Sequence, residues 1–80
     1  MLMRAEYSRN ALKSLSSMDK RLAERILNAI DKLPLGDVKY LKNKPSALRL
    51  RVGGYRILFD VENNCAKVND ILPRGEAYKR

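Results

Sequence analysis

The chain has 80 residues, with 17 Lys or Arg against 9 Asp or Glu and a formal net charge of +8. This length allows one small core, so we expect a single domain over residues 1–80. The basic excess favours a polyanionic partner, either nucleic acid or an acidic protein. A single cysteine, Cys65, excludes an intrachain disulfide, and no apolar run is long enough to span a membrane. Without a signal-peptide pattern, the chain is expected to be cytoplasmic and to make no membrane contact.

The first half of the chain predicts one strand and two helices. Residues 2–7 alternate as a short strand, and Ser8 is suited to cap a helix that ends at Ser17 or Met18. Asp19 is the second cap candidate, and the helix after it ends near Pro34. Apolar residues follow both caps at helical spacing, so the two helices are expected to form a hairpin with a shared buried face: Ala11, Leu12, Leu15 and Met18, then Leu22, Ala23, Ile26, Leu27, Ile30 and Leu33.

The second half predicts a basic loop over 35–46 and three strands. The strands cover 47–52, 55–61 and 65–72, and positive-φ turns are expected at Gly53-Gly54 and Asn63-Asn64. The element order is therefore β-α-α-β-β-β. We predict an α+β fold in which the helical hairpin packs on one face of a small, mostly antiparallel sheet.

The positive charge is concentrated around the first of these strands. Residues 39–56 contain six basic residues and no acidic residue. If Leu48 and Leu50 face the helices, strand alternation places Arg49, Arg51 and Arg56 together on the opposite face. Guanidinium groups on adjacent strands repel one another, and a phosphate between them relieves the repulsion. A solvated basic loop and strand edge is the alternative interpretation of the same charges.

The hairpin LRLRVGGYRILFDVE and the ending ILPRGEAY resemble the RelE/ParE superfamily of small bacterial toxins from type II toxin–antitoxin systems. The predicted element order and the length agree with that family. The RelE branch is the more similar one. The resemblance implies a growth-arresting mRNA interferase, an endoribonuclease that needs no metal or cofactor and cuts mRNA in the ribosomal A site. It also implies attack of the RNA 2′-OH on the adjacent phosphate, which leaves a 2′,3′-cyclic phosphate.

The resemblance assigns roles to seven residues of this chain. The catalytic candidates are Arg51, Arg56, Arg74 and Tyr78, and the RNA-binding candidates are Lys42, Lys44 and Arg49. For Arg56 the structural alternative is an ion pair with Asp60 or Glu62, and for Tyr78 it is an aromatic cover over the end of the sheet. For Arg74 the alternative is a solvated charge near the C-terminus, and Lys42 and Lys44 are equally explained as surface lysines.

The chain departs from the best-known RelE members in its proton acceptors. Arg49 and Arg51 stand where those members carry lysines, and an arginine stays protonated. The chain has no histidine, so the usual general base near neutral pH is missing. Glu76 is the one nearby carboxylate that could accept a proton, but a surface pair with Lys79 or Arg80 is the favoured explanation of it.

The resemblance also implies partners and an alternative target. We expect an acidic antitoxin that covers the arginines, and a hetero-oligomer with it that binds operator DNA. The ribosome and mRNA are the expected targets of the free protein. The alternative is a ParE-like toxin that inhibits DNA gyrase and has no nuclease activity, since it would share the fold and a basic surface.

Overall fold

The computed structural model describes residues 3–41 and 44–73, and of residues 44–46 the backbone only. This part of the chain forms one strand, then two helices, then four strands. Their bounds are β1 Arg4–Tyr7, α1 Arg9–Ser17, α2 Lys20–Asp31, β2 Asp37–Leu41, β3 Lys44–Val52, β4 Tyr55–Glu62 and β5 Cys65–Pro73. None of the helices in these residues is long and apolar enough to cross a membrane.

The five strands form one sheet in the order β1-β5-β4-β3-β2. All neighbouring strands are antiparallel except β1 and β5, which run parallel. The α+β class, the helical hairpin and the mostly antiparallel sheet are therefore confirmed. The structure adds one strand, because β2 and the start of β3 lie in the segment expected to be a basic loop.

Both helices begin at the caps expected from the sequence. The Ser8 hydroxyl accepts a hydrogen bond from Ala11 N at 3.0 Å, and Asp19 Oδ1 accepts one from Leu22 N at 2.8 Å. Each cap contributes about 1 kcal/mol to helix stability. Ser8 Oγ also donates to the carbonyl of Asn69 at 2.6 Å. This contact fixes the start of α1 against β5 and so sets the position of the hairpin on the sheet.

The core lies between α2 and the inner face of the sheet. Ile26, Ile30 and Leu33 are fully buried in one cluster with residues of three strands, namely Leu50, Ile57, Phe59, Val68 and Ile71. Ala11 adds the buried contact of α1, whereas Leu12 is exposed, contrary to the expected apolar stripe. The layer is one residue deep on each side, so the free energy of unfolding is only about 3–5 kcal/mol for a domain of this size.

The prediction of positive φ values is confirmed at both residues of the Asn63-Asn64 turn and at one residue of the Gly53-Gly54 turn. Asn63 and Asn64 have φ values of 53° and 58°, as a two-residue primed turn between β4 and β5 requires. In the β3–β4 turn Gly53 has φ 57°, and Gly54 is not in the positive-φ region. Only the first glycine of that pair is therefore needed for its backbone conformation.

Candidate nucleic-acid interface

The sheet face turned away from the helices, called here the outer face, carries the arginines in two rows across the strands. In the first row Arg51 lies opposite Arg56, which lies opposite Leu72. In the second row Arg49 lies opposite Leu58, which lies opposite Asp70. The residues between them along the strands, such as Leu50 and Ile57, are in the core. The common direction of Arg49, Arg51 and Arg56 predicted by strand alternation is thus confirmed.

Arg56 is the central cation of the outer face. It lies on the middle strand, and its residue is only 6% exposed, whereas Arg51 beside it is exposed. Cβ atoms directly opposite each other on antiparallel strands are about 5 Å apart, so Arg51 and Arg56 are neighbours on the outer face. An anion bound there could accept hydrogen bonds from both guanidinium groups.

The two acidic residues considered as partners of Arg56 have other contacts. Glu62 Oε1 lies 3.4 Å from Lys67 Nζ. Asp60 Oδ2 accepts a hydrogen bond from Asn69 Nδ2 at 2.9 Å. Both carboxylates therefore make contacts at the end of β4 that is far from Arg56. They lie outside the first row of the outer face.

Arg49 is held by an acidic residue of the strand that the sequence did not predict. Its Nη1 atom donates to the carbonyl of Asp37 at 2.9 Å and lies 3.4 Å from Asp37 Oδ1. The residue is 9% exposed. The guanidinium group is therefore turned toward β2 and is partly neutralised, so Arg49 adds less to the anion-attracting surface than Arg51 does. Its RNA-binding role stays a prediction.

The opposite end of the outer face is rich in carboxylates. Lys67 Nζ lies 3.6 Å from Glu6 Oε1 and 3.4 Å from Glu62 Oε1. The negative charge of Glu6, followed by the hydrogen bond and charge of Glu62, raises the pKa of Lys67 above its ordinary value of 10.5. Asp60 lies in the same region, and Arg4 shares this face of β1 with Glu6. The carboxylates at this end are therefore largely balanced by Arg4 and Lys67, and the excess of positive charge lies near the β3–β4 turn.

Asp70 is an outer-face carboxylate that the sequence analysis did not single out. Its register partner is Leu58, so it lies diagonally next to Arg56 on the same face. Its Oδ1 atom accepts a hydrogen bond from Ile71 N at 3.0 Å. This bond to its own strand fixes the direction of the carboxylate beside the row formed by Arg51 and Arg56.

Four of the seven predicted site residues cannot be placed. Lys42, Arg74 and Tyr78 lie outside the described residues, as does Glu76, and of Lys44 only the backbone is described. Their roles stay predictions. Within residues 3–41 and 44–73, no group of three or more His, Cys, Asp or Glu side chains is arranged to hold a metal ion.

Solved structures with this fold were found, although no protein-family model matches the chain and no curated protein matches it significantly. The RelB–RelE antitoxin–toxin complex of Methanococcus jannaschii matches with a TM-score of 0.73 and 25% identity, over 91% of this chain and 94% of that one. The archaeal RelE–RelB complex of Pyrococcus horikoshii OT3 matches with a TM-score of 0.74 and 26% identity, over 94% and 98%.

A third match is a toxin solved without its antitoxin. The isolated E. coli RelE toxin matches with a TM-score of 0.67 and 16% identity, over 98% of this chain and 97% of that one. At this identity the likeness concerns the fold alone. The fold extends over nearly the whole of each chain in all three matches, so the chain has the fold of RelE-like toxins.

Proposed function

We propose that the protein is the toxin of a type II toxin–antitoxin system and acts as a ribosome-dependent mRNA endoribonuclease. The observation that carries this proposal is the pair formed by Arg51 and Arg56, two opposed cations on the outer face with the buried one in the middle strand. Similar structures are RelE toxins in complex with RelB antitoxins. The proposed site of action is the ribosomal A site, and therefore the cytoplasm.

The two arginines suit the charge that develops during RNA cleavage. The 2′-oxygen bonds to the adjacent phosphorus, the bond from phosphorus to the 5′-oxygen breaks, and negative charge grows on the phosphate oxygens between these events. Fixed donors aimed at such charge contribute about 3–4 kcal/mol each to the transition state. Arg56 is the more buried donor, and Arg51 is the donor that is exposed to solvent.

The proton of the 2′-OH needs an acceptor that is not an arginine. Among the described residues, Asp70 is the outer-face carboxylate that stands diagonally next to Arg56. We assign the acceptor role to Asp70, with the released 5′-oxygen taking its proton from water or from Tyr78. Alignment of the RNA by the ribosome would supply the remaining part of the acceleration.

The proposed antitoxin is an acidic protein that covers the outer face. The chain carries a net charge of +8, and the neighbours from M. jannaschii and P. horikoshii are antitoxin–toxin complexes. An acidic segment over Arg51 and Arg56 would occupy the position of the RNA phosphate and so prevent substrate binding. The resulting hetero-oligomer would contact operator DNA through the antitoxin.

The test is to express the protein without an antitoxin and to map the 3′ ends of cellular mRNA. Wild type is expected to arrest growth and to produce cuts in phase with codons. Arg56→Lys, Arg51→Gln and Asp70→Asn are expected to reduce the cuts by at least about 100-fold, the loss typical of one transition-state donor. Arg9→Gln is the control, since Arg9 is an exposed cation at the start of α1.

Two results would contradict the proposal. Growth arrest that persists undiminished in the variants of Arg51 and Arg56 would show that the outer face is not the active surface. Double-strand DNA breaks with intact mRNA after induction would identify gyrase as the target, as in the ParE-like alternative. Circular dichroism of each purified variant confirms that a loss of cutting does not come from unfolding.

A further inference from the structure

A groove of about 580 Å³ lies between α2 and the end of β3. Its rim carries the basic side chains of Arg21, Arg25 and Lys32 from α2, and of Arg51 from β3. Its floor includes the apolar residues Leu50 and Val52. The groove thus has a cationic rim over a small apolar base, on the side of the molecule where the sequence predicted only a helix surface.

The cations of this rim are not neutralised within the described part of the chain. The ion pairs found there join Arg49 to Asp37, and Lys67 to Glu6 and Glu62. None of them involves Arg21, Arg25, Lys32 or Arg51. The carboxylates that line the groove are Glu24 and Asp37, and Asp37 is engaged by Arg49. The groove therefore has an excess of positive charge that faces solvent.

The groove is continuous with the outer face. β2 begins at Asp37, opposite Arg51, so Val52 and the turn that follows have no β2 residue beside them. At this open edge Arg51 belongs both to the rim of the groove and to the row with Arg56. The Arg25 guanidinium lies over Gly53, with Nη1 and Nη2 3.4 Å from the position that a Cβ atom would take there. Gly53 thus lets the α2 cations approach the turn.

We propose that this groove is a second phosphate-binding site, which holds the backbone of single-stranded RNA next to the phosphate bound by Arg51 and Arg56. The inference rests on the proposed function, and it extends that site around the β3–β4 turn. Arg21 and Arg25 are one helical turn apart, about 6 Å, and both line the groove. A volume of about 580 Å³ suits a nucleotide-sized ligand.

The experiment measures binding of a single-stranded RNA in which every 2′-OH is methylated, so that no cleavage can occur. The salt dependence of the binding constant reports the number of phosphates contacted, because each contact on a single strand contributes about 0.7 to the slope of log K against log salt. The slope is negative, and the double variant Arg21→Gln with Arg25→Gln is expected to reduce its magnitude by about 1.4. Lys20→Gln is the matched control, since Lys20 is exposed on the same helix outside the groove.

The outcomes separate this inference from the proposed function. An unchanged slope in the double variant, or an equal loss in Lys20→Gln, would overturn the groove site. Unchanged RNA binding with weaker antitoxin binding would overturn it as well, because the occupant would then be a protein. If the magnitude of the slope decreases as expected while the wild-type protein cuts no mRNA, the groove proposal is supported and the nuclease proposal fails. Circular dichroism and the melting temperature confirm that each variant is folded.

Discussion

Asp37→Asn tests whether the carboxylate of Asp37 stabilises the fold by compensating the charge of Arg49 on the outer face. The substitution keeps the shape of the side chain and removes its charge. Arg49 Nη1 lies 3.4 Å from Asp37 Oδ1, and the exposed fractions of the two side chains are 11% and 48%. Arg49 also lies directly opposite Lys39 on β2. Without the carboxylate, a nearly buried guanidinium would face a like charge.

The expected cost lies between two limits. Breaking a fully buried ion pair from one side costs about 3–5 kcal/mol, and an exposed pair contributes about 0.2–1 kcal/mol. Since Asp37 is half exposed, and its carbonyl still accepts from Arg49 at 2.9 Å, we expect a loss of about 1–2 kcal/mol. Each kcal/mol lowers the melting temperature of a domain of this size by about 4–8 °C.

The assay is urea unfolding followed by circular dichroism, with Glu24→Gln as the control. Glu24 is an exposed carboxylate of α2 that forms no ion pair within the described residues, so its substitution changes the net charge equally. Arg49→Met completes a double-mutant cycle, in which the cost of Asp37→Asn should largely disappear because no buried charge remains. The reasoning is refuted if Asp37→Asn is no more destabilising than Glu24→Gln, or if the cycle shows no coupling.

Two further predictions concern the backbone of the β3–β4 turn and the alkaline pH range. Gly53→Ala should cost about 1–2 kcal/mol, because φ is 57° and a Cβ atom disfavours that conformation; Gly54→Ala meets no atom within 4 Å and should stay within about 0.5 kcal/mol in urea unfolding. Burial, and then the charge of Asp31, raise the pKa of Tyr7 above 10.0. A group with a raised folded-state pKa stabilises fully below its unfolded pKa and loses that contribution as pH rises through the folded one. The free energy of unfolding should therefore fall as the pH rises above 10.0, and it should fall less in Tyr7→Phe. Urea unfolding at a series of alkaline pH values measures this, and an equal decrease with pH in the two proteins would argue against the role of Tyr7.

The two helices and the β3–β4 hairpin could be predicted because their signals are local. Ser8 and Asp19 each stand one residue before a helix, and their side chains make the capping bonds that their chemistry predicts. Strand β2 has no comparable signal. It is an edge strand in which Val38 is only partly buried and Tyr40 is 71% exposed. β2 is held on β3 by backbone hydrogen bonds, and such bonds require no periodic pattern of apolar residues in the sequence.

The candidate site was predicted less completely, for two geometrical reasons. The contact between Arg49 and Asp37 is diagonal across a strand that was expected to be a loop, so the acidic partner could not be foreseen. Asp70 depends on a bulge: the register of β4 and β5 shifts between Leu58 and Phe59. Simple alternation from Val68 would turn Asp70 toward the core, and the extra residue turns it to the outer face instead. Neither feature has a signature in the sequence.

The proposed functions of the outer face have a common electrostatic origin. A thin core leaves the free protein with little stability to spare. A ligand present at about 100 times its dissociation constant adds about 2.7 kcal/mol of stability, which is a large share of the total. An acidic antitoxin and RNA would compete for the same guanidinium groups, so the residues that bind substrate would also make the protein depend on its inhibitor for stability. Substitutions of Arg51 or Arg56 are therefore expected to weaken both interactions together, whereas substitutions of Arg21 and Arg25 in the groove should affect RNA alone.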